Sequence, residues 1–455
     1  MSFKIVLLLS ILFSGSFAKE RFTKKHIFLY LNEKNPFYYD AVGKEYIAQE
    51  EEIYHEGSLD TQFNMKYDDK RYPVSEGTYK QIDIVKPMSN GIEVSLAYRN
   101  AQGIQEYNNI KTGKDGEFLS GVKIPILSVI NNVSKNQVDI DTARINTKYA
   151  KQNSRSNLFK LYFTISRAYY QMLFQKEIVK TEAGLLKKAK RKEKYVSKQI
   201  NIGKLPQVAI FEIQGLVIER EQRLLTTKND FENAKIVFLQ YLGLSSNAFD
   251  RKYTLSGLPK KTMNSISLRS AQERAEQNRP ELKQIELALK KVSLKQELND
   301  LEQYPKMNIG LYGAYDMEYQ EGYKVSFDFN LPLERKRFKG RDESLRRELL
   351  LLRSGRLKML REIKANIQNI LQKIQMINKS IVLARKELLL VEKLEKVENR
   401  KFKEGISDLV LVNQREIKTI QTIQKLFVYY YNLKLLTIEL DYVLGIDHYK
   451  KPSSA

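Results

Sequence analysis

The feature that most constrains this chain is an aliphatic seam in its last third. Leu360, Ile363, Ile367, Ile370, Ile374, Ile377, Ile381, Ala384, Leu388 and Val391 recur at alternating spacings of three and four, the stripe of a long helix that packs lengthwise against another. Within "KFKEGISDLVLVNQRE", Lys401 to Glu416, the pattern breaks at Gly405 and resumes with Leu409, Val412 and Ile417. Glycine permits the left-handed residue that ends a helix, and Ser407 or Asp408 supplies an N-cap for the next one. The segment predicts two long helices joined by a reversal at 405–408.

The same plan occurs twice. Gly203 and Gly405 stand 202 positions apart, as do the Leu-Gly pairs Leu242-Gly243 and Leu444-Gly445. In each half the first glycine follows a long helical run and precedes a helix of roughly 35 to 40 residues that stops at Leu-Gly. An internal duplication is expected, with the first reversal at 203–206, where Pro206 suits a helix start. The run from about Val129 to Ile200 alone would be on the order of 100 Å long at about 1.5 Å per residue.

Each half opens with strand-like sequence. In "GYKVSFDFNLPL", Tyr323, Val325, Phe327, Phe329 and Leu331 fall on one face and Lys324, Ser326, Asp328 and Asn330 on the other, the period of two of a strand. Its partner is "PKMNIGLYGAYDMEY", so a strand pair is expected within 305–333. In the first half, the segments around Phe63 and entering Ile124 are the equivalents, with further strand-like pieces at Tyr79–Val85 and Ile92–Tyr98. Which pieces of 58–127 sit in a membrane is left open by the pattern. A water-soluble sheet gives the same alternation, but four strands flanked by helices too long to fold back over them must find partners on other subunits.

Residues 1–18 carry an early Lys4, an apolar core and small residues at 16 and 18, an expected export signal. The remaining divisions expected are a first repeat over 19–250, a second over 251–445, and a tail over 446–455. The chain has no cysteine, which removes disulfides, thiolate metal sites and a lipidated cysteine. Its net charge of +23 is spread along helical segments and interleaved with Glu, as in "LKKAKRKEKYVSKQ". That is the pattern of a solvated helix face and argues against a nucleic-acid partner. His26, His55 and His448 are isolated and no GxxxxGK[ST] occurs, so the sequence points to no enzyme, no metal and no cofactor.

Taken in order, the motifs resemble the TolC family of outer-membrane efflux and secretion proteins. "NRPEL" at Asn278–Leu282, a helix, then "YPKMNIGLYGAY" from Tyr304 is similar to that family's RPxL, helix, proline, strand passage. "LPLERKRFKGR" from Leu331, "GKLPQVAIFEIQ" from Gly203 and "GISDLVLVNQRE" from Gly405 resemble a variant with basic residues after Pro-Leu. The resemblance spans nearly the whole exported chain.

It implies a mixed, mainly α fold: long coiled-coil helical hairpins forming a periplasmic α-barrel, and four strands per protomer in a shared trimeric 12-stranded β-barrel. Tyr323, Val325, Phe327, Phe329 and Leu331 would then face outer-membrane lipid, and Lys324, Ser326, Asp328 and Asn330 the lumen. Gly203, Pro206, Gly405, Ser407 and Asp408 would form the periplasmic tips that meet an adaptor. Asp408 is an N-cap or, alternatively, a pore-lining carboxylate; the family's commoner tip aspartate is replaced by Ala209 and Leu411. Arg335, Lys336, Arg337 and Lys339 lie either against anionic headgroups or in a solvated turn.

The implied function is a passive, homotrimeric channel-tunnel of a tripartite efflux pump or type I secretion system. It would sit in the outer membrane of a Gram-negative bacterium, most of its mass in the periplasm, and reach an inner-membrane transporter through the periplasmic adaptor. A soluble periplasmic coiled-coil adaptor or scaffold is the alternative.

Overall fold

The computed structural model describes residues 19–73, 75–103, 112–263 and 266–446. The expected export signal, His448 and nearly all of the 446–455 tail lie outside the described residues.

In chain order the elements are β1 (Glu20–Phe22), α1 (Lys24–Tyr30), α2 (Pro36–Glu56), β2 (Gln62–Tyr72), β3 (Ser75–Pro87), β4 (Glu93–Gly103), β5 (Glu117–Pro125), α3 (Ile126–Asn131), α4 (Lys135–Asn201) and α5 (Val208–Leu242). Then follow α6 (Ser246–Lys252), β6 (Tyr253–Leu255), α7 (Leu268–Asn278), α8 (Pro280–Leu301), β7 (Lys306–Asp316), β8 (Gln320–Asn330), α9 (Lys336–Lys403) and α10 (Leu409–Val443). The duplication is visible in the helix lengths. Helices α4 and α5 have 67 and 35 residues, and α9 and α10 have 68 and 35. The first long run is interrupted where the sequence suggested continuity: Asn132 is left-handed at φ 52°, and Ser134 Oγ caps the start of α4 by accepting from Gln137 N at 3.1 Å.

Two compact units result, and both long helices contribute to each. One unit comprises residues up to 39, 158–275 and 364 onward. Its core includes the seam read from the sequence, with Ile367, Ile370, Ile374, Ile377, Ile381, Ala384 and Val391 all buried. A second cluster gathers around Phe22, whose ring meets Tyr169, Phe238, Phe249 and Tyr253 at centroid distances of 5.1–5.8 Å. There β1 pairs with β6 in parallel, Phe22 opposite Leu255. His26 is spent on local structure, its Nε2 2.8 Å from Glu20 Oε1 and its Nδ1 2.9 Å from Thr23 N.

The other unit comprises 40–157 and 276–363 and contains the second sheet. This sheet has six strands in the order β2-β3-β4-β5-β7-β8, every neighbouring pair antiparallel. The fold class is the one expected, but among the described residues the sheet has six strands in place of the four expected. Tyr79–Val85 and Ile92–Tyr98, the two pieces without an assignment, lie in β3 and, but for Ile92 just before it, in β4, and pair with each other, Ile84 opposite Leu96. The physical reason is that β4 also hydrogen-bonds to β5, so the additional hairpin extends the same sheet instead of forming a separate one.

Candidate functional site

Two regions carry functional geometry, the six-stranded sheet and the paired hairpin turns. Register determines which side chains share a face of the sheet. One row runs Phe63, Ile84, Leu96, Ser120, Gly313, Tyr323 across all six strands. The next row on the same face runs Met65, Ile82, Tyr98, Phe118, Tyr315, Glu321. Val122, Leu311 and Val325 stand in line on that face too, as do Ile124, Ile309 and Phe327. The face is apolar and open: Phe63 is 65% exposed, Phe327 61% and Tyr323 85%.

The opposite face is polar. It carries Asn64, Lys66 and Asp68 on β2, Asp83 on β3, Arg99 on β4, Glu117 and Lys123 on β5, and Lys324, Ser326, Asp328 and Asn330 on β8. Arg99 Nε donates to Glu117 across the β4–β5 pair, with both side chains buried. The Lys324 ammonium lies 5.7 Å from the centre of the Tyr312 ring. Close approach explains one glycine here. A Cβ on Gly121 would stand 2.2 Å from the Leu311 carbonyl oxygen, so only glycine lets β5 lie against β7 at that point.

The structure brings Tyr323, Val325, Phe327 and Phe329 to the apolar face of β8 and Lys324, Ser326, Asp328 and Asn330 to the polar one. Leu331 falls one residue beyond the strand. The four basic residues that follow also differ from a simple turn. Lys336, Arg337 and Lys339 are in the first turns of α9, and Arg335 precedes it at φ 53°. Lys336 pairs with Glu334 at 3.0 Å and Arg337 approaches Glu302 at 3.8 Å, all but Glu302 largely exposed.

The hairpin turns follow from helix-stop chemistry. At the first, Gly203 adopts φ +73°, its N–H donates to Ile200 O at 2.9 Å and Lys204 N donates to Gln199 O at 2.8 Å. At the second, Gly405 adopts φ +79°, donating to Phe402 O at 3.2 Å, and Ile406 N donates to Lys401 O at 2.9 Å. Both are the paired bonds of a glycine-terminated helix. Pro206 sits two residues before α5, not within it, and its carbonyl accepts from Ala209 N at 3.1 Å.

Of the two candidate caps, Asp408 is the one used: its Oδ1 accepts from Leu411 N at 2.7 Å. Ser407 Oγ instead donates to Glu398 Oε1 at 2.5 Å. Asp408 is nonetheless exposed, so the cap leaves its charge open to solvent.

The two turns pack together. Val196, Ala209, Ile213 and Leu409 form one buried cluster, flanked by Ile200, Leu205, Ile210, Leu216 and Phe402. Above it, the Lys192 ammonium is 3.0 Å from Glu416 Oε2 and 2.9 Å from Asn413 Oδ1. The Lys192 and Glu416 side chains are only 10% and 13% exposed. Burial pushes the Lys192 ammonium below the usual lysine range, against the pull of Glu416 in the other direction. Sequence reasoning passed over this tie, because Lys192 lies in a charge run with nothing to separate it from its solvated neighbours. Its only signal is that Val196 and Ile200, one and two turns on, are apolar.

Among the described residues no group of three or more His, Cys, Asp or Glu side chains is placed to hold a metal. Nor does any described helix combine the length and apolarity needed to cross a membrane. No protein-family model matches the sequence, and no curated protein matches it.

Solved structures do match. The outer membrane protein VceC of Vibrio cholerae superimposes with a TM-score of 0.68 at 12% identity, over 93% of this chain and 96% of that one. The Campylobacter jejuni CmeC outer membrane channel gives 0.65 at 10% identity, over 92% and 85%. The open-state MtrE outer membrane channel of Neisseria gonorrhoeae gives 0.65 at 10%, over 93% and 88%. At such identities the agreement is one of fold, and the chain has the fold of these outer membrane channels along nearly its whole length.

Proposed function

We propose that the protein is a passive channel in the outer membrane of a Gram-negative bacterium, assembled from three copies of this chain. The observation that carries the reading is the sheet: one face apolar and exposed across six consecutive strands, the other polar along the same strands. Such alternation suits a wall between lipid and a water-filled lumen. A free sheet of this kind has no stable place in water and none in lipid until its edges are paired. On this reading Tyr323, Val325, Phe327, Phe329 and Leu331 meet lipid, while Lys324, Ser326, Asp328 and Asn330 line the lumen.

The duct serves an efflux pump or a one-step secretion system, reached through a periplasmic adaptor and an inner-membrane transporter. Gly203, Pro206, Gly405, Ser407 and Asp408 mark the turns that the adaptor meets. Exposed apolar side chains beside them, Ile202, Val208, Phe211 and Ile406, favour a protein partner there. The energy for export comes from the transporter.

Membrane fractionation with a carbonate wash tests the reading. A channel stays with the outer membrane; release into the wash would favour a periplasmic coiled-coil scaffold instead.

A further inference from the structure

We infer that the barrel formed by this protein has eighteen strands, six from each of three chains, and that it closes by pairing β8 of one chain with β2 of the next. The inference rests on the trimeric channel proposed above. It replaces the 12-stranded barrel expected from four strands per chain with one of a wider bore.

The first support is that β2 and β8 are both open edges of equal length. Each has eleven residues, and each is exposed along most of its course. Because the sheet alternates direction over an even number of strands, β2 and β8 run antiparallel to each other. Joining β8 to a neighbour's β2 therefore continues the alternation with every chain the same way up. Pairing β2 with β2 antiparallel would turn one chain upside down, which a channel with all its helices in one compartment excludes.

The second support is the slant of the apolar band. Its outward residues on β2 are Phe63, Met65 and Tyr67, centred on Met65, and on β8 and the residue just past its end they run from Tyr323 to Leu331, centred on Phe327. Followed across the ladder, the row through Met65 arrives at Glu321, six residues from Phe327. Six residues at about 3.4 Å against five strand steps at about 4.8 Å give an angle of ~40° between strand and band normal. Strands in membrane barrels tilt by roughly 35–45°. The hairpin beyond the expected four strands thus holds its place in one lipid belt, which a loop folded outside the barrel would not do.

At that tilt, circumference scales with strand number, and eighteen strands give a backbone diameter of about 36 Å against about 24 Å for twelve. Barrels of sixteen to eighteen strands are the size class that leaves an open aqueous channel.

The slant also sets the register between chains. It averages a little over one residue per step, and outward side chains must meet outward ones, so Phe327 pairs with the neighbour's Met65 or Tyr67. On the lumen side Ser326 then faces Lys66 or Asp68. The first register sets Lys324 against Asp68, and the second sets Asp328 against Lys66, an opposite-charge pair in either case.

The chain contains no cysteine, so pairs can be introduced without background. The full chain is expressed as S326C/K66C and as S326C/D68C, and outer membranes are treated with copper phenanthroline as oxidant and run on non-reducing gels. One of the two is expected to give covalent oligomers up to the trimer, with most chains shifted. The comparison variants S326C/S95C and S326C/A97C place the second cysteine on the polar face of β4. Cross-linking there, or none in any variant while an unlinked trimer persists in outer membranes, would overturn the eighteen-strand closure and leave the channel standing. Loss of the chain from outer membranes in the cysteine-free parent would overturn the channel reading itself, and the closure with it.

Discussion

Removing the Lys192 ammonium should loosen the junction between the hairpin turns, and the geometry gives the size. A buried ion pair broken on one side costs about 3–5 kcal/mol, because the surviving charge stays dry and unpaired. Lys192 and Glu416 keep 10% and 13% exposure, so part of that penalty is relieved by water. Lys192→Met should therefore cost about 2 kcal/mol locally, close to a 30-fold change in opening at about 1.4 kcal/mol per tenfold.

Amide hydrogen exchange along the first turns of α10 reads this directly, since those amides report opening of the helix end. The double variant K192M/E416L removes both charges from a site where burial already disfavours the lysine, and should recover protection to within about 1 kcal/mol of the parent. E416Q adds a pH signature. Without Glu416 the largest attraction holding the ammonium is gone and the Lys192 pKa falls further below its unfolded value, so the unfolded state binds more protons between the two values. Stability of E416Q should then rise with pH through that window, from its lowered pKa up to about 10.5, and be lowest below it. Unchanged exchange in K192M, or a double variant as loose as the single, would refute the reasoning.

Two further substitutions separate backbone strain from capping at the second turn. Gly405→Ala meets no atom within 4 Å but must hold φ +79°, a cost of about 1 kcal/mol, read as faster exchange around 401–406. Asp408→Ala should cost about 1 kcal/mol through loss of the bond to Leu411, whereas Asp408→Asn keeps the cap and should leave trimer yield unchanged; a conductance change in Asp408→Asn would show the charge acting on the pore. On the sheet, Met65→Arg and Phe327→Arg should each cost about 2–4 kcal/mol by placing a charge in lipid, while Asn64→Arg and Ser326→Arg on the polar face should cost far less. Folded-trimer yield in outer membranes measures the contrast, and equal tolerance on both faces would contradict the assignment.

The helical part of this fold was legible because its signals are long and redundant. The seam from Ile363 to Val391 repeats often enough to specify one helix, and Gly203 and Gly405 each sit where only a left-handed residue completes the helix stop. The strand pair β7–β8 was legible for a similar reason, five consecutive alternations from Tyr323 to Leu331. The pair β3–β4 was not. Ile82 and Ile84 are flanked by Lys80 and Lys86 on the same face, too short a stripe to tell a barrel strand from a loop, and only pairing with β2 and β5 brings it into the sheet.

Tertiary partners account for the rest. Ser407 and Asp408 are equivalent as caps in one dimension, and Glu398 decides between them by holding the Ser407 hydroxyl. The Lys192–Glu416 tie joins helices from different halves of the chain, and helix charges read the same from sequence whether they meet water or each other. The corrected strand count comes from the same source, since pairing is a property of the folded sheet.

Single-particle cryo-electron microscopy of protein extracted from outer membranes in mild detergent tests the central claim most directly. The account predicts three-fold particles with a detergent belt around a closed barrel and a continuous central channel, with eighteen strands resolved in cross-section. Single chains, or two-fold rods without a detergent belt, would contradict it.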